Sequence, residues 1–280
     1  MPDPTRDFLT LLLDRYWFAP PVALWRAIEL RTLAGEAFPR PILDLGCGDG
    51  LVAEVLFQDT PPVESGFDPW YEQVRKAPRT WAYRNVQQAL GDAMPYRAAM
   101  FGTVLSNSVL EHIPDIEPVL QEAARVLRPG GRLILTVPSD AFRRLLAGYR
   151  DRAVAGDGEG AEAYADGVDA WLAHHRYLAP DAWRLILERV GLRLSRTIYY
   201  VAPEAAELWD RANHTYGVRA DAMPFYRWLA SPRLRRLGYQ SLLRRWVVRT
   251  LSRRWRSLYD RDVAPGEVGA GLLVVGEKGV

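Results

Sequence analysis

The sequence predicts an α/β fold in which a parallel sheet carries helices on both faces. Three observations point there. Short apolar runs alternate with segments of helical spacing from about residue 40 to residue 200. The first run, Ile42–Leu45, leads into a turn with glycine at 46, 48 and 50, and a helical pattern follows. Later runs also stop at proline, glycine or polar residues, as strands that feed crossover helices do.

In chain order, residues 5–34 read as one or two amphipathic helices, broken at Pro20-Pro21 and rich in aromatic residues. The first strand is Ile42–Leu45, and a helix covers about Leu51 to Phe57. Val63–Asp68 reads as the second strand, ended by Pro69. A helix near Tyr71–Ala77 precedes a third strand at Val86–Leu90. Thr103–Asn107 is the fourth, and Ile116–Leu127 has helical spacing up to Pro129-Gly130-Gly131. Arg132–Val137 is the fifth strand. After a loose acidic segment, Pro180–Val190 forms a helix whose N-terminus Asp181 favours. Leu194–Val201 is the sixth strand and Gly271–Gly276 the last, separated by an insertion longer than a plain connection.

Composition narrows the function classes. Hydrophobic residues make up 49% and charged residues 25%, which is ordinary for a soluble globular chain. The net charge of +2 gives no whole-chain argument for nucleic acid. Cys47 is the single cysteine, so neither an internal disulfide nor a multi-cysteine metal site can form. No run reaches the length of a membrane span, and the N-terminus lacks a signal-peptide pattern. A cytoplasmic location is the expectation.

Ligands of open parallel sheets bind beyond the carboxyl ends of the strands. Asp44 and Gly46, Asp68, Asp92, then Ser106 and Asn107 fall at those ends. A glycine-rich turn lets backbone N–H groups approach a ligand closely. Asp68, 22 residues after Gly46, can accept hydrogen bonds from both hydroxyls of a ribose. Asp92 is placed to accept from an exocyclic amine such as that of adenine. The Gly-x-Gly-x-Gly spacing departs from the Gly-x-Gly-x-x-Gly of pyrophosphate-binding dehydrogenases, which favours a cofactor without phosphate.

These segments resemble the class I S-adenosylmethionine-dependent methyltransferases, within the ubiquinone/menaquinone-methyltransferase-like group of small-molecule enzymes. The resemblance rests on Leu43-Asp-Leu-Gly-Cys-Gly-Asp-Gly50, Gly66-Phe-Asp68, Gly91-Asp92-Ala93, Ser106-Asn-Ser-Val-Leu-Glu-His-Ile113 and Glu122-Ala-Ala-Arg-Val-Leu-Arg-Pro-Gly-Gly-Arg-Leu-Ile-Leu-Thr136. It covers roughly residues 40–200 and the final strand. It implies a seven-stranded, mostly parallel, Rossmann-like sheet whose last strand runs antiparallel.

The resemblance also implies S-adenosylmethionine as cofactor. Gly46 and Gly48, with Cys47 as a small filler between them, would wrap its methionine part, and Asp44 would lie near its ammonium. Asp68 would hold the ribose and Asp92 the adenine, with Ala93 beside it. Met94, Pro69 and Trp70 would supply apolar contacts to the purine, and Asn107 would reach the polar tail. His112, His174 and His175 are the candidate proton acceptors. Two adjacent histidines without further nearby ligands do not make a metal site, so none is expected.

Three regions lie outside this pattern. Residues 1–38 form a helical cap, in which Tyr16, Trp17 and Phe18 are lid candidates. Residues 39–202 and 268–280 form the cofactor-binding domain, and 203–267 a basic helical insertion. The glycine-rich acidic stretch Asp151–Asp169 reads as a moving lid. Within the insertion, Leu243, Trp246, Val247, Thr250, Leu251, Trp255 and Leu258 share one helical face. Arg245, Arg249, Ser252, Arg253 and Arg256 lie opposite. Such a helix suits an anionic membrane surface, which makes residues 229–259 a candidate peripheral contact at the inner face of the membrane. Packing on the sheet domain, with the arginines solvated or paired with the acidic lid, is the other reading.

The function expected is methyl transfer from S-adenosylmethionine to a small-molecule or lipid-linked acceptor, at oxygen, with nitrogen and carbon as the alternative atoms. The alternatives are a nucleic-acid or protein methyltransferase using the arginine-rich insertion, and a non-catalytic S-adenosylmethionine-binding protein. Nothing in the sequence sets the oligomeric state.

Overall fold

The computed structural model describes residues 2–216 and 240–279. Seven strands form one sheet: β1 (Ile42–Leu45), β2 (Ser65–Asp68), β3 (Val86–Gln88), β4 (Phe101–Asn107), β5 (Leu127–Pro138), β6 (Leu192–Tyr200) and β7 (Gly271–Lys278). Their order is β3-β2-β1-β4-β5-β7-β6. The pairs from β3 to β5 are parallel, and β7 runs antiparallel between β5 and β6. Strand order reverses between β1 and β4, which opens a crevice at their carboxyl ends.

The strands alternate between two cores, as the period of two in a pleated strand requires. Leu105, Ile134, Leu273 and Val275 face α1 (Phe8–Arg15), α2 (Pro20–Ala34) and α3 (Leu51–Leu56). Val104, Leu133, Leu135, Leu272 and Val274 face the opposite side, which α5 (Glu117–Val126) and α9 (Pro180–Arg189) cover. Between α3 and α5 in sequence comes the short α4 (Tyr71–Val74). Helix α1 starts where the Asp7 carboxylate accepts from the Thr10 N–H, a side-chain cap of the usual kind.

Two regions differ from the sequence expectation. The acidic stretch is helical, not a loose lid. After α6 (Phe142–Leu145), it forms the end of α7 (Ala147–Val154) and most of α8 (Gly158–Leu172). Ala161, Tyr164, Ala165 and Val168 recur at i, i+3, i+4 and i+7 and are buried, which fixes α8 against the core. Gly158 and Gly160 fall in its first turn, where the Asp157 carboxylate accepts from Gly160 N–H. Glycine costs helix stability chiefly in a helix interior, and here only Gly167 lies there. The acids pair locally: Arg143 reaches Glu162, Asp166 and Asp169, and Arg211 binds Asp151.

The insertion holds α10 (Pro203–Tyr216), α11 (Gln240–Arg254) and α12 (Arg256–Asp260), and its expected stretch from 229 to 239 lies outside the described residues. Helix α11 packs on α1, with Arg244 paired to Asp14, while Arg256 of α12 reaches Asp7. These arginines therefore bind the N-terminal helix and not the acidic stretch. The apolar face is also shifted from the one expected. Val247 and Trp255 are buried and Leu243, Val248 and Leu251 partly so, whereas Trp246 and Thr250 are exposed. Arg256, expected on the outer face, is half-buried.

Candidate active site

Two adjoining cavities open at the carboxyl ends of β1, β2 and β4. The larger, of about 710 Å³, is lined by Asp44, Gly46, Cys47, Gly48, Asp68, Pro69, Trp70, Gly91 and Asn107, with Tyr16 over it. The volume lies within the usual range for small-molecule sites.

The turn after β1 is shaped by its glycines. Gly46 (φ 76°) and Gly48 (φ 54°) both have left-handed backbone that costs other residues energy. A Cβ on Gly46 would overlap the side chain of Val109, while one on Gly48 would meet nothing within 4 Å and would point into open space. Gly46→Ala is therefore expected to destabilise the fold by about 1–3 kcal/mol, the usual cost of overpacking, as read from the urea midpoint. Gly48→Ala should leave that midpoint nearer the parent value.

The Asp68 carboxylate is fixed by two backbone donors, Gly48 N–H at 3.0 Å and Trp70 N–H at 2.9 Å. Asp44 is buried, and its Oδ2 accepts from the Tyr83 hydroxyl. Burial pushes its carboxyl up to about 6, against the Tyr83 hydrogen bond and with help from the Asp68 charge. Burial and the neighbouring Asp44 push the Cys47 thiol up, which keeps it protonated and inert. Asn107 donates from Nδ2 to Thr136 Oγ1 at 2.6 Å and accepts from Arg26 at 3.2 Å.

Arg26 lines both cavities and was not among the sequence candidates. It pairs with Glu29 one turn along α2, and Glu29 also accepts from Ser108 Oγ and Tyr200 Oη. Burial alone would raise the Glu29 carboxyl, yet Arg26, Ser108 and Asn107 hold it below its ordinary value. An Arg-x-x-Glu pair within the apolar run Val22–Leu30 was the signal available in the sequence, because a buried charge persists only when paired.

The smaller cavity, of about 250 Å³, has apolar and aromatic walls: Val22, Trp25, Phe142, Trp171, Leu172 and Trp209. Glu111, His112 and His174 supply its polar edge, and Arg26, Ser108 and His112 are common to both cavities. Glu111 is buried, its Oε2 has no hydrogen-bond partner, and burial pushes its carboxyl up to about 8. His112 Nδ1 lies 3.2 Å from the Ala173 carbonyl, which can only accept, so Nδ1 carries the proton and Nε2 is an acceptor. The Tyr177 hydroxyl donates to Asp169, so its oxygen accepts from His174 Nδ1 at 3.0 Å, and His174 Nε2 is left an acceptor too. Burial lowers both imidazoles, His174 to about 3.

Ligand atoms of Glu111, His112 and His174 all lie within 4.8 Å of one another. The sequence expectation paired His174 with His175 and found no third ligand. Here His174 meets His112 and Glu111 instead, because α8 returns its C-terminal end to the loop after β4. Three groups that accept hydrogen bonds, with no donor supplied to Glu111 Oε2, can receive a hydroxyl proton or hold a divalent cation.

Other expected residues fall elsewhere. His175 is exposed, and only its backbone N–H engages the site region, donating to the Glu111 carbonyl at 2.8 Å. Asp92 and Ala93 are exposed on the loop after β3 and outside the cavity wall, where Gly91 takes their place. Met94 is buried in the core between the sheet and α5, its N–H donating to Glu122. Trp17 and Phe18 do not line either cavity.

Residues 43–135 match the family model described as the methyltransferase domain. With the sheet order and the glycine turn, this part of the chain is similar to the class I S-adenosylmethionine-dependent methyltransferases. Among curated relatives, the mitochondrial ubiquinone biosynthesis O-methyltransferase of Homo sapiens is 26% identical over 185 residues, which cover 62% of this chain and 47% of that protein. The 27-O-demethylrifamycin SV methyltransferase of Amycolatopsis mediterranei is 39% identical over 111 residues, covering 36% and 40%. The chain thus aligns with about half the length of these relatives or less. Among solved structures, the geranyl diphosphate C-methyltransferase of Streptomyces coelicolor A3(2), in complex with Mg2+, geranyl diphosphate and S-adenosyl-L-homocysteine, superposes with a TM-score of 0.54. It has 11% identity and covers 93% of this chain and 82% of that one.

The family's cofactor is S-adenosylmethionine, and the larger cavity fits it. A buried carboxylate stands at each end of the glycine turn, the space over Gly48 is open, and a partly buried guanidinium lies opposite.

Proposed function

We propose that this protein transfers a methyl group from S-adenosylmethionine to the oxygen of a small or lipid-linked apolar acceptor. One observation carries the choice of oxygen: the unpartnered, buried Glu111 Oε2 in the apolar cavity that shares a wall with the cofactor cavity. When bound, S-adenosylmethionine supplies a methyl group on a positively charged sulfur.

In this reading Asp68 accepts from the ribose hydroxyls, and Gly46 and Gly48 let the backbone lie against the methionine part. Asp44 faces the ammonium, and Arg26, aimed by Asn107 and Ser108, pairs with the carboxylate. Pro69 and Trp70 cover the purine. Trp25, Phe142, Trp171 and Trp209 hold the acceptor and exclude water, which aligns its oxygen for in-line transfer. The Glu111 carboxylate would take the hydroxyl proton as the acceptor oxygen gains the methyl and the sulfur–methyl bond breaks, and burial favours the protonated acid. His112 and His174, both neutral, orient the hydroxyl.

Calorimetric titration with S-adenosylmethionine and S-adenosylhomocysteine, followed by mass spectrometry of a panel of phenols with and without isoprenoid tails, tests this. Micromolar binding of both and methylation of free but not O-blocked phenols is expected. Methylation confined to amines would remove Glu111 from the reaction, and binding without turnover on any acceptor would leave a cofactor-binding protein.

A further inference from the structure

The outer face of α11 has no partner among the described residues, and its chemistry is specific. Leu242, Arg245, Trp246, Arg249 and Arg253 are all exposed, with Leu242 at 69% and Trp246 at 63%. At about 100° per residue they form one stripe, directly opposite the stripe of Leu243, Val247 and Leu251 that packs inward. Arg244 spends its charge on Asp14, but Arg245, Arg249 and Arg253 make no ion pair among the described residues. A soluble helix normally turns its large apolar side chains inward. This one turns an indole and a leucine outward among three free guanidinium groups.

We propose that this stripe docks the protein on an anionic lipid bilayer, with Trp246 and Leu242 inserted at the headgroup level and the arginines on lipid phosphates. Trp is suited to that depth because its ring is apolar and its N–H polar. Basic residues near an anionic surface each add attraction that salt weakens. Nucleic acid would use the arginines but has no need of Leu242, and no module for reading bases accompanies them.

The position of α11 gives the contact a purpose. It packs antiparallel to α1: Arg244 pairs with Asp14 near the C-terminal end of α1, and Arg256, just beyond α11, pairs with Asp7 at its start. Leu242 and Trp246 therefore sit at the end of α1 that leads into Tyr16, which lines the cofactor cavity. A bilayer bound there lies at the end of α1 next to Tyr16, one of the residues lining the larger cavity. The docking surface stands on its own, whatever the reaction.

The test is sedimentation of the full-length protein with vesicles of phosphatidylglycerol and phosphatidylcholine, against vesicles of phosphatidylcholine alone. Binding to the anionic vesicles only is expected. Replacing Arg245, Arg249 and Arg253 together by Gln should weaken it about a hundredfold, from about 1 kcal/mol per charge. Trp246→Ser alone should weaken it clearly at the same charge. All these positions are exposed, and retained S-adenosylhomocysteine binding verifies that the variants are folded. A parent protein that stays in the supernatant overturns the proposal. So does vesicle binding indifferent to Trp246, or preferential capture by single-stranded RNA that the arginine changes abolish and Trp246→Ser does not.

Discussion

Glu111→Gln is expected to lower turnover by about 10²- to 10⁴-fold, the usual worth of a positioned general base, while S-adenosylmethionine still binds. The amide keeps the shape of the carboxyl but cannot take a proton. In the proposed reaction the working form is the carboxylate, and burial pushes that carboxyl up to about 8. Turnover should therefore rise with pH through about 8 and level off above it, and the rise should vanish in the variant. Stability moves the other way. A carboxyl whose folded value is raised contributes stability fully present below its unfolded value near 4.5, and that contribution is lost as pH rises through about 8. Above pH 8 the Gln variant should consequently unfold at a temperature no lower than the parent. An equal loss of activity at every pH, with a lowered unfolding temperature, would make Glu111 a structural residue. Turnover abolished by a chelator and restored by a divalent cation would assign the same three side chains to a metal.

Asp68→Ala is expected to weaken S-adenosylmethionine binding by about 1–3 kcal/mol, the range for losing hydrogen bonds to a charged group. Two effects add. The ribose hydroxyls lose their acceptor, and Gly48 and Trp70 lose the carboxylate that ties the turn after β1 to the end of β2. The loss should appear in calorimetry as a weaker dissociation constant for both S-adenosylmethionine and S-adenosylhomocysteine, since both carry the ribose. Unchanged affinity would place the cofactor elsewhere.

What was legible in the sequence was local. Asp44, the glycine turn and Asp68 lie at the ends of short apolar strands, and a strand end fixes where its next side chain goes. The antiparallel last strand followed only from resemblance, because an apolar run such as Gly271–Gly276 reads the same in either direction. Asp92 is exposed and outside the cavity wall, while Gly91 lines it, a difference that nothing in Gly91-Asp92-Ala93 reveals. Glu111 and His174 are 63 residues apart, and only the path of α8 brings them together. That path was itself obscured by four glycines, although Ala161, Tyr164, Ala165 and Val168 already had helical spacing. On α11, helical spacing identified an apolar face but misassigned Trp246, because α1 selects the stripe centred on Val247.

The apolar walls of the smaller cavity come from α2, α6, α8 and α10, whereas the glycine turn and Asp68 come from the first strands of the sheet. In the proposed reading, what the protein acts on and what it acts with are thus written largely in different stretches of chain, which meet at Arg26, Ser108 and His112. Exchanging Trp171 or Trp209 is then expected to redraw the acceptor range while S-adenosylhomocysteine affinity stays as it was. A scaffold divided in this way can diversify in nature, or be redesigned in the laboratory, one half at a time.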